Sequence, residues 1–187
     1  MREVVVGKLW TGNARDLRDA RGVLGLGVEA VVDLAAEEPP AVYPRDTLCC
    51  RFPLVDGVGN RHATLAAAIE TLTVLIDSSV PTLVACSAGM SRSPLVTAAA
   101  LSKSVGIALD EAIERVGADA PVDMSPGLLA DIRLLLGCDS ESRESDEWLS
   151  YAAAGRDLLG RPLPAEFRAK VLSNIAGNSA GGGLPYE

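Results

Sequence analysis

The sequence predicts an α/β domain with a central, mostly parallel sheet flanked by helices. Residues 28–34 and 82–86 are continuous apolar runs, which is typical of strands buried on both faces of a sheet. Stretches with apolar residues three or four positions apart follow these runs, as expected of covering helices. With 187 residues and 48% hydrophobic content, the chain can bury the core of one domain of ordinary size.

The elements follow from apolar spacing and from turn residues. The predicted order is a strand at 3–10, a helix at 14–26, strands at 28–34 and 47–52, a helix at 63–77, a strand at 82–86 and helices at 93–105, 109–116 and 126–136. Gly25 and Gly27 end the first helix. The buried face of the helix at 63–77 is predicted to be Leu65, Ile69, Leu72 and Ile76.

Composition changes near residue 137, and it predicts the domain organisation. Residues 1–137 are expected to form the α/β domain, and residues 138–187 an acidic linker, a short helical extension and a flexible tail. The role of that extension stays open at this point.

Charge and cysteine content exclude several classes of protein. The net charge of -8 disfavours general nucleic-acid binding, which needs a basic face. The chain shows no signal peptide and no apolar stretch of membrane-spanning length. Its four cysteines lack the CxxC spacing of zinc or thioredoxin-like sites. We therefore expect a cytoplasmic protein with reduced thiols, no membrane partner and an oligomeric state that the sequence leaves unknown.

Residues 86–92 read Cys-Ser-Ala-Gly-Met-Ser-Arg, between a predicted strand and a predicted helix. Small residues allow successive backbone N–H groups to turn inward as an anion-binding nest, and the helix adds its positive N-terminal end. The guanidinium of Arg92 can hold two phosphate oxygens at once. The loop therefore predicts a phosphate site whose substrate-binding residues are Ser87, Ala88, Gly89, Met90, Ser91 and Arg92.

The positive charge of Arg92 and of the helix N-terminus also acts on Cys86, which precedes the loop. Cations and helix N-termini favour the thiolate form of cysteine, so we expect Cys86 to attack phosphorus and form a phosphocysteine intermediate. Ser93 is placed to donate a hydrogen bond to the sulfur when it leaves. This chemistry requires no metal and no cofactor.

The leaving oxygen needs a proton, which a carboxylic acid on a nearby loop can supply. Asp56 is the leading candidate, because it follows a predicted strand in a loop that contains Gly57 and Gly59. Asp33 and Asp46 are weaker rivals. Asp33 ends a buried strand, where a hydrogen-bonding role fits better.

These segments together resemble the dual-specificity phosphatases of the cysteine-based protein tyrosine phosphatase superfamily. The loop matches their CX5R signature in the form CSAGMSRSP, and Phe52-Pro53-Leu54-Val55-Asp56 resembles the segment that carries their general acid. Segments at 9–14 and 31–34 resemble their first two strands. The resemblance covers about residues 3–137. It implies Cys86 as nucleophile, Arg92 as phosphate ligand, Asp56 as acid and base, and Ser93 as helper of the departing thiolate.

Ala85 departs from the family pattern, which has histidine immediately before the cysteine. That histidine supports the loop and favours the thiolate, so we expect reduced activity here. The five loop positions between Cys86 and Arg92 carry no charge, whereas relatives that act on polyanionic substrates place cations there. The expected substrate is therefore a protein phosphorylated on tyrosine or on serine or threonine.

Two alternatives remain open. One is a catalytically weak module that binds phosphorylated proteins, and the other is a rhodanese-type sulfurtransferase. Cys49 and Cys50 are expected to be buried strand residues, and one of them could form a protective disulfide with Cys86 under oxidation. The single histidine, His62, and its neighbour Arg61 are expected at a solvated helix start, and contact with substrate is the alternative.

Overall fold

The computed structural model describes residues 1–118 and 123–138. The elements in chain order are β1 (Arg2–Val5), β2 (Leu9–Asn13), α1 (Ala14–Arg18), α2 (Ala20–Gly25), β3 (Ala30–Ala35), β4 (Leu48–Leu54), α3 (His62–Asp77), β5 (Thr82–Cys86), α4 (Arg92–Val105), α5 (Leu109–Gly117) and α6 (Pro126–Leu136). The five strands form one sheet in the order β1-β2-β5-β3-β4. β1 is antiparallel to β2, and all other pairs are parallel. The predicted fold class is confirmed.

The two faces of the sheet bury separate apolar clusters, because successive side chains of a strand point to opposite faces. Val84 and Cys86 of β5 face the larger cluster, which contains side chains of α3, α4, α5 and α6. Leu83 and Ala85 face the smaller cluster, where they pack with residues of α1 and α2 such as Leu17. The helices therefore cover both faces, and Cys86 lies on the side of α4.

The carboxyl ends of β2, β3 and β5 meet at one edge of the sheet, because these strands are parallel. In open α/β sheets this edge is where ligands bind. The loop at 87–91 leaves β5 there and enters α4, whose N-terminal residues Arg92, Ser93 and Pro94 are all buried. The strand, loop and helix predicted around the CX5R segment are thus present.

Two predicted elements are each divided in the structure. The strand predicted at 3–10 is a hairpin of β1 and β2, which turns at Gly7 with φ +67° while the Gly7 N–H donates to Glu3 Oε1 at 2.7 Å. The helix predicted at 14–26 is α1 and α2, separated at Asp19. The Asp19 carboxylate accepts from the Gly22 N–H at 3.0 Å and so caps the second helix.

The remaining helices follow the predictions closely. On α3, Leu65, Ile69 and Leu72 are buried as expected, and Leu75 is buried in addition. Ile76 is only partly buried at the edge of the larger cluster. Within the described residues, no helix is long and apolar enough to cross a membrane.

The predictions for the C-terminal region cannot be compared with the structure. Residues 1–138 form one compact unit. The linker, helices and tail predicted from residue 139 onward lie outside the described residues, and Cys138, the first residue of that predicted region, is exposed.

Candidate active site

The loop at 87–91 is tied to the end of β2 by backbone contacts. Asn13 pairs with Cys86 in the parallel register, and the Ala14 N–H donates to the Ser87 carbonyl at 3.1 Å. Asn13 also caps α1, since its side chain accepts from the Arg15 and Asp16 N–H groups. The start of α1 therefore fixes the first residue of the loop.

Gly89 is required by the shape of the loop. Its φ is +77°, and a Cβ added there would lie 3.0 Å from the Gly12 carbonyl carbon and oxygen. Such contacts leave no room for a side chain, so only glycine allows the loop to approach β2 this closely. The exposed residues Ala88 and Met90 flank it at the surface.

The Cys86 sulfur is buried and receives two polar contacts. The Gly89 N–H donates to Sγ at 3.3 Å, and the Ser93 hydroxyl lies 3.4 Å from Sγ. Ser93 Oγ also lies 3.3 Å from the Gly12 carbonyl oxygen, so its single hydrogen is directed either to that carbonyl or to Sγ. The Gly89 N–H stabilises a thiolate at this position, and the Ser93 hydroxyl does so when its hydrogen is directed to Sγ. Ser93 is where the sequence predicted it.

Arg92 is 2% exposed and presents two different edges of its guanidinium. On the outer edge, Nη1 and Nη2 donate to the two carboxylate oxygens of Glu37 at 2.7 and 2.5 Å, and Nη1 also donates to the Leu54 carbonyl at 2.8 Å. Of the five guanidinium N–H groups, these contacts use three. Nε is buried and has no partner in the structure. The edge formed by Nε and the second Nη2 hydrogen is therefore left for two oxygens of an anion.

Glu37 is a site residue that the sequence analysis missed. It follows β3, the neighbour of β5 in the sheet, so it can reach the loop that leaves β5. Its Oε1 accepts from Ser87 Oγ at 2.5 Å as well as from Arg92. Hydrogen bonds from Arg92 lower the pKa of Glu37 to about 2 and raise that of Arg92. The available signal in the sequence was the acidic pair Glu37-Glu38. It lies just past the end of β3, at the sheet edge where the CX5R loop lies.

Replacing Glu37 with glutamine is expected to give a stability difference that depends on pH. The folded-state pKa of Glu37, about 2, lies below its ordinary value of 4.5, so its stabilising effect is fully present above pH 4.5 and is lost as the pH falls through about 2. Thermal unfolding of both forms between pH 2 and pH 7 measures it. We expect a constant difference in midpoint above pH 5 that narrows toward zero near pH 2, and a difference that widens on acidification would contradict the pairing.

Asp56 lies beside the loop, as predicted. The Ser91 hydroxyl donates to Asp56 Oδ1 at 2.6 Å, while the Asp56 side chain remains on the exposed side of the site. Ser91 itself is 4% exposed. The structure thus brings together Cys86, Arg92, Ser93 and Asp56, which are separated by up to thirty-seven positions in the chain.

The backbone around Asp56 is held by a residue that the sequence did not single out. The Asn60 side chain accepts from the Val55 N–H at 2.9 Å and donates to the Val55 and Gly57 carbonyls at 3.2 and 3.0 Å. These bonds reach both neighbours of Asp56. Asn60 therefore fixes the short turn that presents the carboxylate, and Gly57 and Gly59 supply its unusual backbone angles.

The two rival carboxylates lie elsewhere. Asp33 pairs with Ala85 in the register, so it faces the smaller apolar cluster and not the side of Cys86. It accepts from the Ala35 N–H and lies 3.5 Å from Arg51, and burial raises its pKa. Asp46 is exposed before β4, at the opposite edge of the sheet from the loop. Asp56 is the carboxylate among the three that the fold places at the loop.

Ala85 stands at the position where the resembled family has histidine. It lies on the opposite face of β5 from Cys86. It is fully buried in the smaller cluster, beside Trp10, Leu17 and Val31. The described loop therefore has no imidazole at this position, and its first residue is held by α1 instead. The expected reduction in activity stays a prediction.

The interpretation of the cysteines changes. Cys49 is exposed and Cys50 partly buried on the edge strand β4, so the prediction of two buried residues is wrong. β3 lies between β4 and β5, which separates their backbones by about 9.6 Å, two strand spacings. A disulfide needs Cα atoms within about 7 Å, so this fold does not allow one between β4 and Cys86. His62 and Arg61 are exposed at the start of α3, as expected.

Comparison with known proteins gives a fold-level result. No protein-family model matches the chain, and no curated protein sequence matches it. Solved structures do match. Human DUSP28 is 22% identical over 76% of this chain and 100% of its own, with a TM-score of 0.66.

Two further structures have a similar fold. The human tyrosine phosphatase-like serine/threonine/tyrosine-interacting protein is 16% identical, covering 74% of this chain and 96% of its own, with a TM-score of 0.63. DUSP15 is 19% identical, covering 77% and 97%, with a TM-score of 0.58. The chain therefore has the dual-specificity phosphatase-like fold, and the resemblance seen in the sequence is confirmed at that level.

Proposed function

We propose that this protein is a cysteine-dependent phosphatase that hydrolyses phosphotyrosine or phosphoserine and phosphothreonine in proteins. The observation that carries the proposal is the free edge of the buried Arg92 guanidinium, which follows Cys86 by six positions at the other end of the loop. A buried N–H without an acceptor is costly, and the contacts to Glu37 and Leu54 leave this edge without one. A phosphate ester bound to Nε and Nη2 would complete it.

The reaction proceeds in two displacements at phosphorus. The Cys86 thiolate attacks phosphorus while the ester oxygen leaves, and Asp56 donates a proton to that oxygen. Water, deprotonated by Asp56, then attacks the phosphocysteine, and the sulfur departs as thiolate. The Gly89 N–H lies within hydrogen-bonding distance of that sulfur and stabilises its charge, and the Ser93 hydroxyl adds a second bond by turning its hydrogen from the Gly12 carbonyl to the sulfur. Arg92 and the loop N–H groups stabilise the equatorial oxygens in both steps.

The charge around the site supports a singly phosphorylated substrate. The side chains between Cys86 and Arg92 are uncharged, and the Glu37 and Asp56 carboxylates lie at the exposed side of the site. With Glu37 paired to Arg92, these side chains offer no surplus positive charge to a substrate that carries several phosphates. Phosphoproteins are therefore favoured over polyphosphorylated small molecules.

A phosphoprotein-binding module is the second candidate. The replacement of the expected histidine by Ala85 favours it, and one solved structure of similar fold is described as a phosphatase-like interacting protein. Such a module would bind phosphopeptide without turnover. The sulfurtransferase alternative would show cyanide-dependent release of thiocyanate from thiosulfate, and it gives no role to Asp56.

Asp56→Asn separates these candidates through its dependence on the leaving group. We expect kcat/KM toward a phosphotyrosine peptide to fall about 100-fold, because the phenolate then leaves without a proton. Toward an aryl phosphate with an acidic phenol, the loss should be within about threefold. Steady-state assays in the presence of a chelator measure both.

Asp77→Asn is the matched control for that variant. Asp77 accepts a hydrogen bond from Ser104 at the far ends of α3 and α4, as Asp56 does from Ser91 at the site. Its replacement should leave both rates unchanged. Binding of the phosphopeptide by wild-type protein with no turnover at any pH from 5 to 8 would favour the binding module instead.

A further inference from the structure

The segment 123–127, which leads into α6, contacts both the loop at 87–91 and the turn that carries Asp56. The Asp123 N–H donates to the Met90 carbonyl at 3.0 Å, and the Ser125 N–H donates to Ser91 Oγ at 3.1 Å. Both acceptors belong to the loop that carries Cys86. Ser125 is also the N-cap of α6, since its side chain accepts from the Leu128 N–H. The start of the helix is therefore anchored on the loop.

The same segment packs against the turn that carries Asp56. A Cβ added to Gly127 would lie 2.4 Å from Val58 Cγ1 and 3.1 Å from the Val58 N atom. The approach is close enough that any side chain at Gly127 would push the turn away. The acid-bearing turn and the loop thus share one support, and Ser91 is the residue that links them.

The direction of the hydrogen bonds at Ser91 is fixed by its neighbours. The Ser125 N–H can only donate, so Ser91 Oγ accepts from it and directs its own hydrogen to Asp56 Oδ1. Oδ1 is then occupied as an acceptor. Oδ2 is the carboxyl oxygen left to carry the proton that moves to the leaving group.

We propose that Ser91, held by the start of α6, is a positioning residue that selects Asp56 Oδ2 as the proton donor. The sequence analysis placed Ser91 among the phosphate-binding loop residues, and the inference gives its side chain a different role. It rests on the proposed phosphatase function. It predicts that the Ser91 hydroxyl contributes to catalysis only through Asp56.

A double-mutant cycle tests this directly. The rates to measure are kcat/KM for a phosphotyrosine peptide in wild type, Ser91→Ala, Asp56→Asn and the double variant. We expect Ser91→Ala to lower kcat/KM about tenfold when Asp56 is present, within the 100-fold that a 1 Å misplacement can cost. In the Asp56→Asn background the same change should cost less than about twofold.

Two further variants keep the test decisive. Ser104→Ala removes the corresponding hydroxyl of the Ser104–Asp77 pair and should change no rate. Gly127→Ala displaces the turn that carries Asp56 without changing the loop. If Ser91→Ala does not fold, this variant takes its place in the cycle. We expect it to lower kcat/KM several-fold when Asp56 is present and by less than about twofold in the Asp56→Asn background. Folding of each variant is checked by its thermal unfolding midpoint.

The outcomes separate the two proposals. Equal losses in both backgrounds, for Ser91→Ala or for Gly127→Ala, would overturn the positioning role and leave the phosphatase function intact. A Ser91→Ala loss of equal size toward the phosphotyrosine peptide and toward an ester with an acidic phenol would also overturn the positioning role. Wild-type protein that hydrolyses neither ester would overturn the phosphatase function and the inference together.

Discussion

Cys86→Ser should lower the turnover of a phosphotyrosine peptide by about 10⁴-fold or more, which is the scale seen when a covalent nucleophile is removed. A serine hydroxyl is not ionised at neutral pH, so the groups that stabilise a thiolate at this position have no anion to act on. The change is nearly isosteric, and the buried site next to Ser93 and Gly89 should remain folded. Steady-state hydrolysis measures the loss.

Cys49→Ser is the control for this variant. Cys49 is exposed on the edge strand β4, and its replacement should leave hydrolysis within experimental error of wild type. Cys86→Ser should also keep its affinity for the phosphopeptide, because Arg92 and the loop are intact. If Cys86→Ser kept more than a tenth of the wild-type rate, another group would have to be the nucleophile.

Arg92→Lys should lower kcat/KM for the same substrate by about 10³-fold, the upper end of what one stabilising donor contributes in an active site. Lysine keeps the charge and loses the planar fork. It cannot hold Glu37 and the Leu54 carbonyl on one edge while offering two N–H groups to phosphate on the other.

The matched control is Arg115→Lys on α5. Arg115 also pairs with a glutamate, Glu111, and both side chains are about half exposed. Its replacement should change neither kcat nor KM. A rate for Arg92→Lys within tenfold of wild type would mean that charge alone is sufficient, and the argument from the unpartnered Nε would fail.

The sequence predicted the parts of the fold whose signals are local. The apolar run at 82–86, the small-residue loop and the helix after it are neighbours in the chain, so spacing alone placed Cys86, Arg92 and Ser93. The division of the first strand and the first helix was missed because the apolar pattern continues through Gly7 and Asp19. The breaks involve local polar contacts, from the Gly7 N–H to Glu3 at the first turn and from the Gly22 N–H to Asp19 at the start of α2.

The residues that support the site could not be predicted in the same way. Glu37 reaches Arg92 only because β3 lies beside β5, and the strand order is a property of the whole sheet. The Asn60 side chain binds the backbone of Val55, and the Ser125 backbone N–H binds the Ser91 hydroxyl. Hydrogen bonds that use a backbone group on one side leave no pattern in the sequence. The prediction of Asp56 depended on the family resemblance as much as on its turn.

Covalent transfer of phosphate to Cys86 is the central claim, and trapping it is the most direct test. Asp56→Asn protein is mixed with an aryl phosphate that has an acidic phenol, quenched in acid within milliseconds and digested. Loss of the base that activates water should let the intermediate accumulate. Mass spectrometry is expected to find one phosphoryl group on the peptide that contains Cys86, and none on that peptide when Cys86 is also replaced with serine. Release of phenol with no phosphoryl group on Cys86 at any time point would contradict the account.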